Sequence, residues 1–214
     1  MDIKTWRTEL IIDELQRAVL QIFILTIIPF VWWVIWWFGT TGTKMSFFKW
    51  VGLKKPIVAN KKRFISFIVL ALIVAISMSF VLDPILPDDI QLANARFGGQ
   101  GVKALVPAII FSFFATALPE EILFRGFLGK RLSGKLGFPI GNTIQAILFG
   151  LLHGATMFST LGMAIPLLVI AYTGTLGWLM GYVNEKADGS ILPGWCIHAI
   201  SNLYAAIIIM FELV

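Results

Sequence analysis

Six long apolar runs, each separated from the next by a short polar or basic stretch, set the pattern of this chain. They cover residues 18–38, 64–82, 104 to about 132, 140 to about 158, 161–183 and 191–213. Each is near the twenty or so residues that carry an α-helix across a bilayer. The first run ends in Trp32-Trp33-Val34-Ile35-Trp36-Trp37, an aromatic cluster suited to a membrane interface. Asp83-Pro84 close the second. The pattern predicts an all-α fold, a polytopic transmembrane helix bundle of about six spans. The first run is too long for a signal-peptide core and no small-residue cleavage site follows it, so it is expected to be retained. Residues 1–17 read equally as a short interfacial helix or as a solvated extension of the first span.

Composition narrows the class. Of 214 residues 58% are hydrophobic and 14% charged, against about a quarter charged in soluble domains. One cysteine, Cys196, excludes a disulfide framework. A net charge of +5 would suggest nucleic acid if the basic residues formed a surface of their own. Instead they gather beside the apolar runs, which points to a membrane surface and not to nucleic acid. Seven lie in the loop 39–63: Lys44, Lys49, Lys54, Lys55, Lys61, Lys62 and Arg63. Eleven of the 17 fall on that side of the membrane and five on the other, with Arg125 inside the third run. The excess predicts a cytoplasmic loop 39–63 and both termini outside.

Against this background the ionisable residues inside the apolar runs carry the chemistry. Glu120, Glu121 and Arg125 stand in the third run, His153 in the fourth and His198 in the sixth, and the chain has no other histidine. Such groups are costly at membrane depth and usually face a cavity or a partner. At 1.5 Å per residue Glu120 lies roughly 16–18 Å, His153 about 20 Å and His198 about 10–15 Å from the cytoplasmic ends of their helices. The three therefore fall at similar levels, predicting a polar cavity near the bilayer midplane. Gly126, Gly150, Gly154 and Gly194 would allow close helix approach around it. Pro119 frees a carbonyl one turn earlier and can kink its helix there.

Each residue also has a purely structural reading. Glu121 and Arg125 are four apart, so they can form a self-neutralising buried ion pair. Glu120 is offset from Glu121 by about 100° and is left free for proton transfer. His153 alone could be an interhelical hydrogen-bonder, and His198 with Asn202, one turn apart, could pin two helices. Cys196, two residues from His198, points elsewhere. Independent structural uses would not place both histidines at one depth, so a shared site is the better expectation.

Three motifs in order carry a resemblance to a known family. Glu120-Glu121-Ile-Leu-Phe-Arg125 is a Glu-Glu-x-x-x-Arg motif continuing in Gly126. Phe149-Gly-Leu-Leu-His153 is Phe-x-x-x-His, and His198-Ala-Ile-Ser-Asn202 is His-x-x-x-Asn. Together they resemble the CAAX protease and bacteriocin-processing (Abi) family of intramembrane glutamic endopeptidases, over roughly residues 107–210. The resemblance implies that Glu120 is a general base acting on water with help from His153, and that His198 and Asn202 stabilise the oxyanion. Glu121 and Arg125 would balance charge behind Glu120, and Phe149 would wall the cavity. It implies a catalytic core at 102–214 after an N-terminal region 1–101 with two spans. It further implies a peptide or protein substrate at the lipid bilayer and a compact relative in a prokaryotic plasma membrane. No cofactor is needed on this reading. The alternative is zinc held by Glu120, His153 and His198, against which stands the absence of a His-Glu-x-x-His motif. Two other classes use the same residues: a non-catalytic bacteriocin-immunity or peptide-binding protein, and a proton-coupled transporter. No inverted repeat is evident to support the last. Prenylated C-termini, bacteriocin leaders and signalling peptides would all suit a cavity open to the cytoplasm.

Overall fold

The computed structural model describes residues 3–42, 44–82, 85–87 and 93–213, with side chains from Thr8 onward. It is 83% helix, and the described residues contain no strand. A lipid environment offers the backbone no hydrogen-bond partners, so apolar runs of this length satisfy their own N–H and C=O groups as helices. Among the described residues, beside a 3-10 turn at Ala95–Phe97, these helices form: α1 Ile3–Gly39, α2 Phe47–Val51, α3 Lys61–Leu82, α4 Gly101–Leu136, α5 Phe138–Leu161, α6 Ala164–Lys186 and α7 Leu192–Met210. All except the five-residue α2 are long and apolar enough to cross a membrane.

The N-terminal segment extends the first span without a break, since α1 is one 37-residue helix. At 1.5 Å per residue it is about 55 Å long and overhangs a hydrocarbon core of about 30 Å. The overhang is anchored by Glu14, which is fully buried against Arg96 of the α3–α4 connection. Arg96 holds it with two nitrogens, Nη2 at 3.0 Å from Oε2 and Nε on the other oxygen. The Arg96 guanidinium also lies over the rings of Phe97 and Phe111. Asp83-Pro84, the expected stop of the second span, and the side chains of residues 1–7 lie outside the described residues.

The basic loop after α1 is docked rather than free. Trp50 and Val51 of α2 are buried, with Trp50 stacked on Phe127 and capped by the Arg131 guanidinium 3.8 Å above its ring. Beyond α2, the Ile191 N–H donates to Gly52 O at 2.9 Å and Ser190 Oγ donates to Lys54 O at 2.6 Å. Lys54 Nζ pairs with Asp188 at 2.8 Å. The loop thereby ties the end of α1 to the α6–α7 turn.

Two local devices position the interior. Gly150 of α5 lets α6 pass so close that a Cβ there would lie 2.5 Å from Ile170 O. In α4, π-helical stretches Phe111–Ala117 and Ile122–Gly129 flank the single α-turn Leu118–Glu121. Pro119 accounts for the first stretch: it has no N–H to give and its ring crowds the carbonyl four residues back, so the ladder widens. The Leu118 N–H accordingly reaches Phe113 O, five residues earlier. Short π stretches of this kind occur often at functional sites.

Candidate active site

Glu120 sits in the α-turn between the two π stretches, its side chain 16% exposed. Its Oε2 is 3.8 Å from His153 Nε2 on α5 and 3.7 Å from His198 Nε2 on α7. Three separate helices thus bring one carboxylate and both imidazoles of the chain together.

The far side of each ring settles what the near side presents. His153 Nδ1 is 2.9 Å from Phe149 O, a carbonyl that can only accept, so Nδ1 carries the proton. His198 Nδ1 is 3.2 Å from Glu121 Oε1, the oxygen paired with Arg125, and it donates there likewise. With the neutral rings protonated on Nδ1, both Nε2 atoms offer lone pairs. They face Glu120 Oε2, which has no hydrogen-bond partner among the described residues. Three acceptors therefore converge at separations too long for direct hydrogen bonds, a geometry matched by a proton donor seated between them.

Behind this cluster Glu121 is fully buried. Arg125 Nη1 lies 2.8 Å from Glu121 Oε1, and Asn184 Nδ2 of α6 donates to Oε2 at 3.5 Å. The Arg125 guanidinium covers the Phe149 ring at 4.1 Å, while the same ring lies 4.4 Å from His153 and meets His198 edge-on at 5.8 Å. Phe149 is therefore packed between the cation and both imidazoles. Gly194 of α7 passes directly over this layer: its N–H donates to Asn184 Oδ1 at 2.8 Å. A Cβ at Gly194 would come within 2.9 Å of Glu121 Oε2.

Asn202, one turn along α7 from His198, makes its contact elsewhere on α4. Its Nδ2 donates to Thr116 Oγ1 at 2.8 Å. Thr116 is four residues before Glu120, as Asn202 is four after His198, so a second polar contact joins the same two helices. Thr116 and Asn184 were not singled out from the sequence. Thr116 meets Asn202 only through space, and Asn184 is a lone amide at the end of its span, so neither gave a signal. Cys196 is exposed and takes no part.

A half-open cavity of about 50 Å³ lies beside Arg125, lined also by Lys130, Ser133, Asn142, Gln145 and Asn184. Glu120 and the imidazoles do not line it, so this polar cavity stands on the far side of the ion pair from the carboxylate–imidazole cluster. The donors of that cluster were also weighed as a zinc site. Bonds of 2.0–2.2 Å in a tetrahedron put ligand atoms about 3.3–3.5 Å apart, a few tenths of an ångström less than the 3.7 and 3.8 Å seen here. As placed, no group of three or more His, Cys, Asp or Glu among the described residues forms a metal-holding set.

A polytopic membrane protein with acid–base residues gathered inside its helix bundle is the class that fold and site define. Within that class, residues 102–204, just under half of the chain, match the family model described as type II CAAX prenyl endopeptidase Rce1-like, so this stretch is similar to the CAAX protease family. The matched stretch contains every motif residue from Glu120 to Asn202, and the family is one of peptidases. No curated protein and no solved structure matches the chain.

Proposed function

We propose that the chain is an intramembrane endopeptidase that hydrolyses a peptide bond of a membrane-associated substrate with water activated by Glu120. The observation that carries this reading is the convergence of Glu120 Oε2, His153 Nε2 and His198 Nε2, three lone-pair groups around a space that calls for a donor. Water fills that requirement, giving one proton toward Glu120 and the other toward an imidazole. Glu120 takes a proton as the water oxygen bonds to the carbonyl carbon, and later returns it to the departing amine. Negative charge develops on the carbonyl oxygen. Asn202 offers it a neutral N–H. His198 can donate there only once its Nε2 has taken up a proton. Glu121, Arg125 and Phe149 hold the ring and the helix behind the reacting groups.

The family description makes a prenylated C-terminal peptide the first substrate to try and a leader-type peptide the second. The basic loop is taken to face the cytoplasm of a prokaryotic cell, so the substrate enters from that side. The test is cleavage of such peptides by protein purified in detergent, wild type beside Glu120→Ala, with products mapped by mass spectrometry. Cleavage that disappears with Glu120 is the expected result. Binding without cleavage in both would support the peptide-binding or immunity reading instead.

A second reading, zinc on Glu120, His153 and His198, draws on one observation. Both Nδ1 atoms already donate to an oxygen acceptor, as imidazoles that ligate metal through Nε2 usually do. A small closure of the three donors would be required.

A further inference from the structure

We propose that Thr116 is a positioning residue for Asn202, fixing which end of the Asn202 amide faces the reacting carbonyl. The inference rests on the endopeptidase reading above.

An asparagine amide can turn over with almost no change of shape, exchanging a donor for an acceptor. In an oxyanion site that exchange is decisive, because an oxygen of Asn202 aimed at the developing charge would repel it. The residue that prevents it must distinguish NH₂ from C=O, and Thr116 does. A hydroxyl has one proton, and that of Thr116 is engaged with its own helix, at 3.0 Å from Phe111 O and 3.3 Å from Ser112 O. Toward Asn202 the hydroxyl can therefore only accept. The flipped amide would set two oxygens 2.8 Å apart with no proton between them. One N–H of Asn202 is thus held on Thr116, and the second stays free for the oxyanion.

Local structure makes this arrangement available. Phe111, Ser112 and Thr116 all belong to the first π stretch, where the ladder has widened before Pro119. The indole of Trp195 donates to Phe113 O at 2.8 Å, tethering α7 to the same stretch independently of Asn202. The spacing between Thr116 and Asn202 therefore does not depend on their own hydrogen bond, so losing the hydroxyl should free the amide without separating the helices.

The test uses the full chain in detergent with internally quenched farnesylated CAAX peptides and leader-type peptides as probes. Thr116→Val keeps the shape and removes the acceptor. It should lower kcat roughly 5–10-fold, the effect of one ordinary hydrogen bond, with KM within about twofold. Thr116→Ser should restore kcat to within about twofold of wild type. Asn202→Ala should lower kcat by about 10²–10³. Adding Thr116→Val to Asn202→Ala should then change kcat less than about twofold, because nothing remains to be positioned. If the valine variant does not fold, Thr116→Ala takes its place with the same expected split. An unchanged kcat in Thr116→Val, or an equal further loss on the Asn202→Ala background, overturns the positioning role and leaves the endopeptidase reading standing. An Asn202→Ala variant with near-normal kcat overturns the positioning role together with the oxyanion role of Asn202 and leaves the endopeptidase reading standing, whereas a wild type that cuts no probe overturns both.

Discussion

Replacing Glu121 by glutamine should cost stability, while the same change at Glu120 should cost activity alone. Glu121 is fully buried and is the counter-ion of Arg125, whose side chain is 2% exposed. Glu121→Gln leaves that guanidinium as an uncompensated charge among helices, and weakens the acceptor for His198 Nδ1. Breaking a buried pair by removing one partner costs about 3–5 kcal/mol. In a chain of this size each kcal/mol moves Tm by about 2–4 °C, so a fall on the order of 10 °C is expected. Glu120, by contrast, has an Oε2 with no protein hydrogen bond to lose. Glu120→Gln should leave Tm unchanged or slightly higher while kcat falls about 10²–10⁴-fold. Combining Glu121→Gln with Arg125→Met removes the stranded cation and should recover at least half of the lost Tm. Thermal unfolding and peptide cleavage on the same detergent-purified samples decide the matter. Equal Tm changes for the two glutamates, or no recovery in the double variant, would refute the division of labour between them.

Other outcomes follow from the same geometry. If water is activated without metal, protein purified with chelator keeps its activity and binds no stoichiometric zinc; activity that leaves with the metal and returns on zinc addition would establish the ligand reading. Gly194→Ala places a Cβ 2.6 Å from Asn184 Nδ2 and 2.9 Å from Glu121 Oε2. It should lower stability by about 1–3 kcal/mol, read as a falling Tm, with a lowered kcat in the protein that remains folded. In the docked basic loop, a hydrogen bond and the charge of Lys54 hold the Asp188 carboxyl below its ordinary value of 3.8. Because the folded value is depressed, the contribution is present above the ordinary value and is lost as pH falls through the folded one. The protection of the loop amides relative to their unstructured exchange rates should therefore fall below about pH 4, and Asp188→Asn should show the lower protection throughout.

What could be read from the residues alone depended on whether the signal was local. The six spans were legible because hydropathy over some twenty residues decides the matter with little help from tertiary context. The Glu121–Arg125 pair was legible because four residues along a helix is itself a contact. The meeting of Glu120, His153 and His198 followed from depth, since three helices of one bundle place residues of equal depth side by side. The Asn202–Thr116 and Glu121–Asn184 contacts had no such signal. Asn202 could be paired with His198 by spacing, but its hydrogen bond goes to Thr116 on another helix, and no spacing encodes that. Asn184 is likewise tied to Glu121 only through space. The loop 39–63 reads as a basic cytoplasmic segment at the membrane surface, yet Trp50, Val51 and Lys54 dock it against α4 and the α6–α7 turn. Charge composition speaks for the lysines and says nothing of the two buried side chains that hold them in place.

The widened turns of α4 change what kind of mutation that helix can survive. Through 111–117 the ladder reaches five residues instead of four, so the segment has in effect absorbed a residue without lengthening the path between its neighbours. Most of its side chains are phenylalanine, alanine or serine, and substitutions there would mostly read as ordinary packing changes. Their number is another matter. Deleting one of them would let the segment close to α spacing while the register downstream, with Glu120 facing the imidazoles, is kept; the same deletion in an α-helical turn would rotate everything after it by about 100°. Single-residue deletions in this stretch, Thr116 apart, should therefore be survived where those in the α-helical part of α4 before it are not.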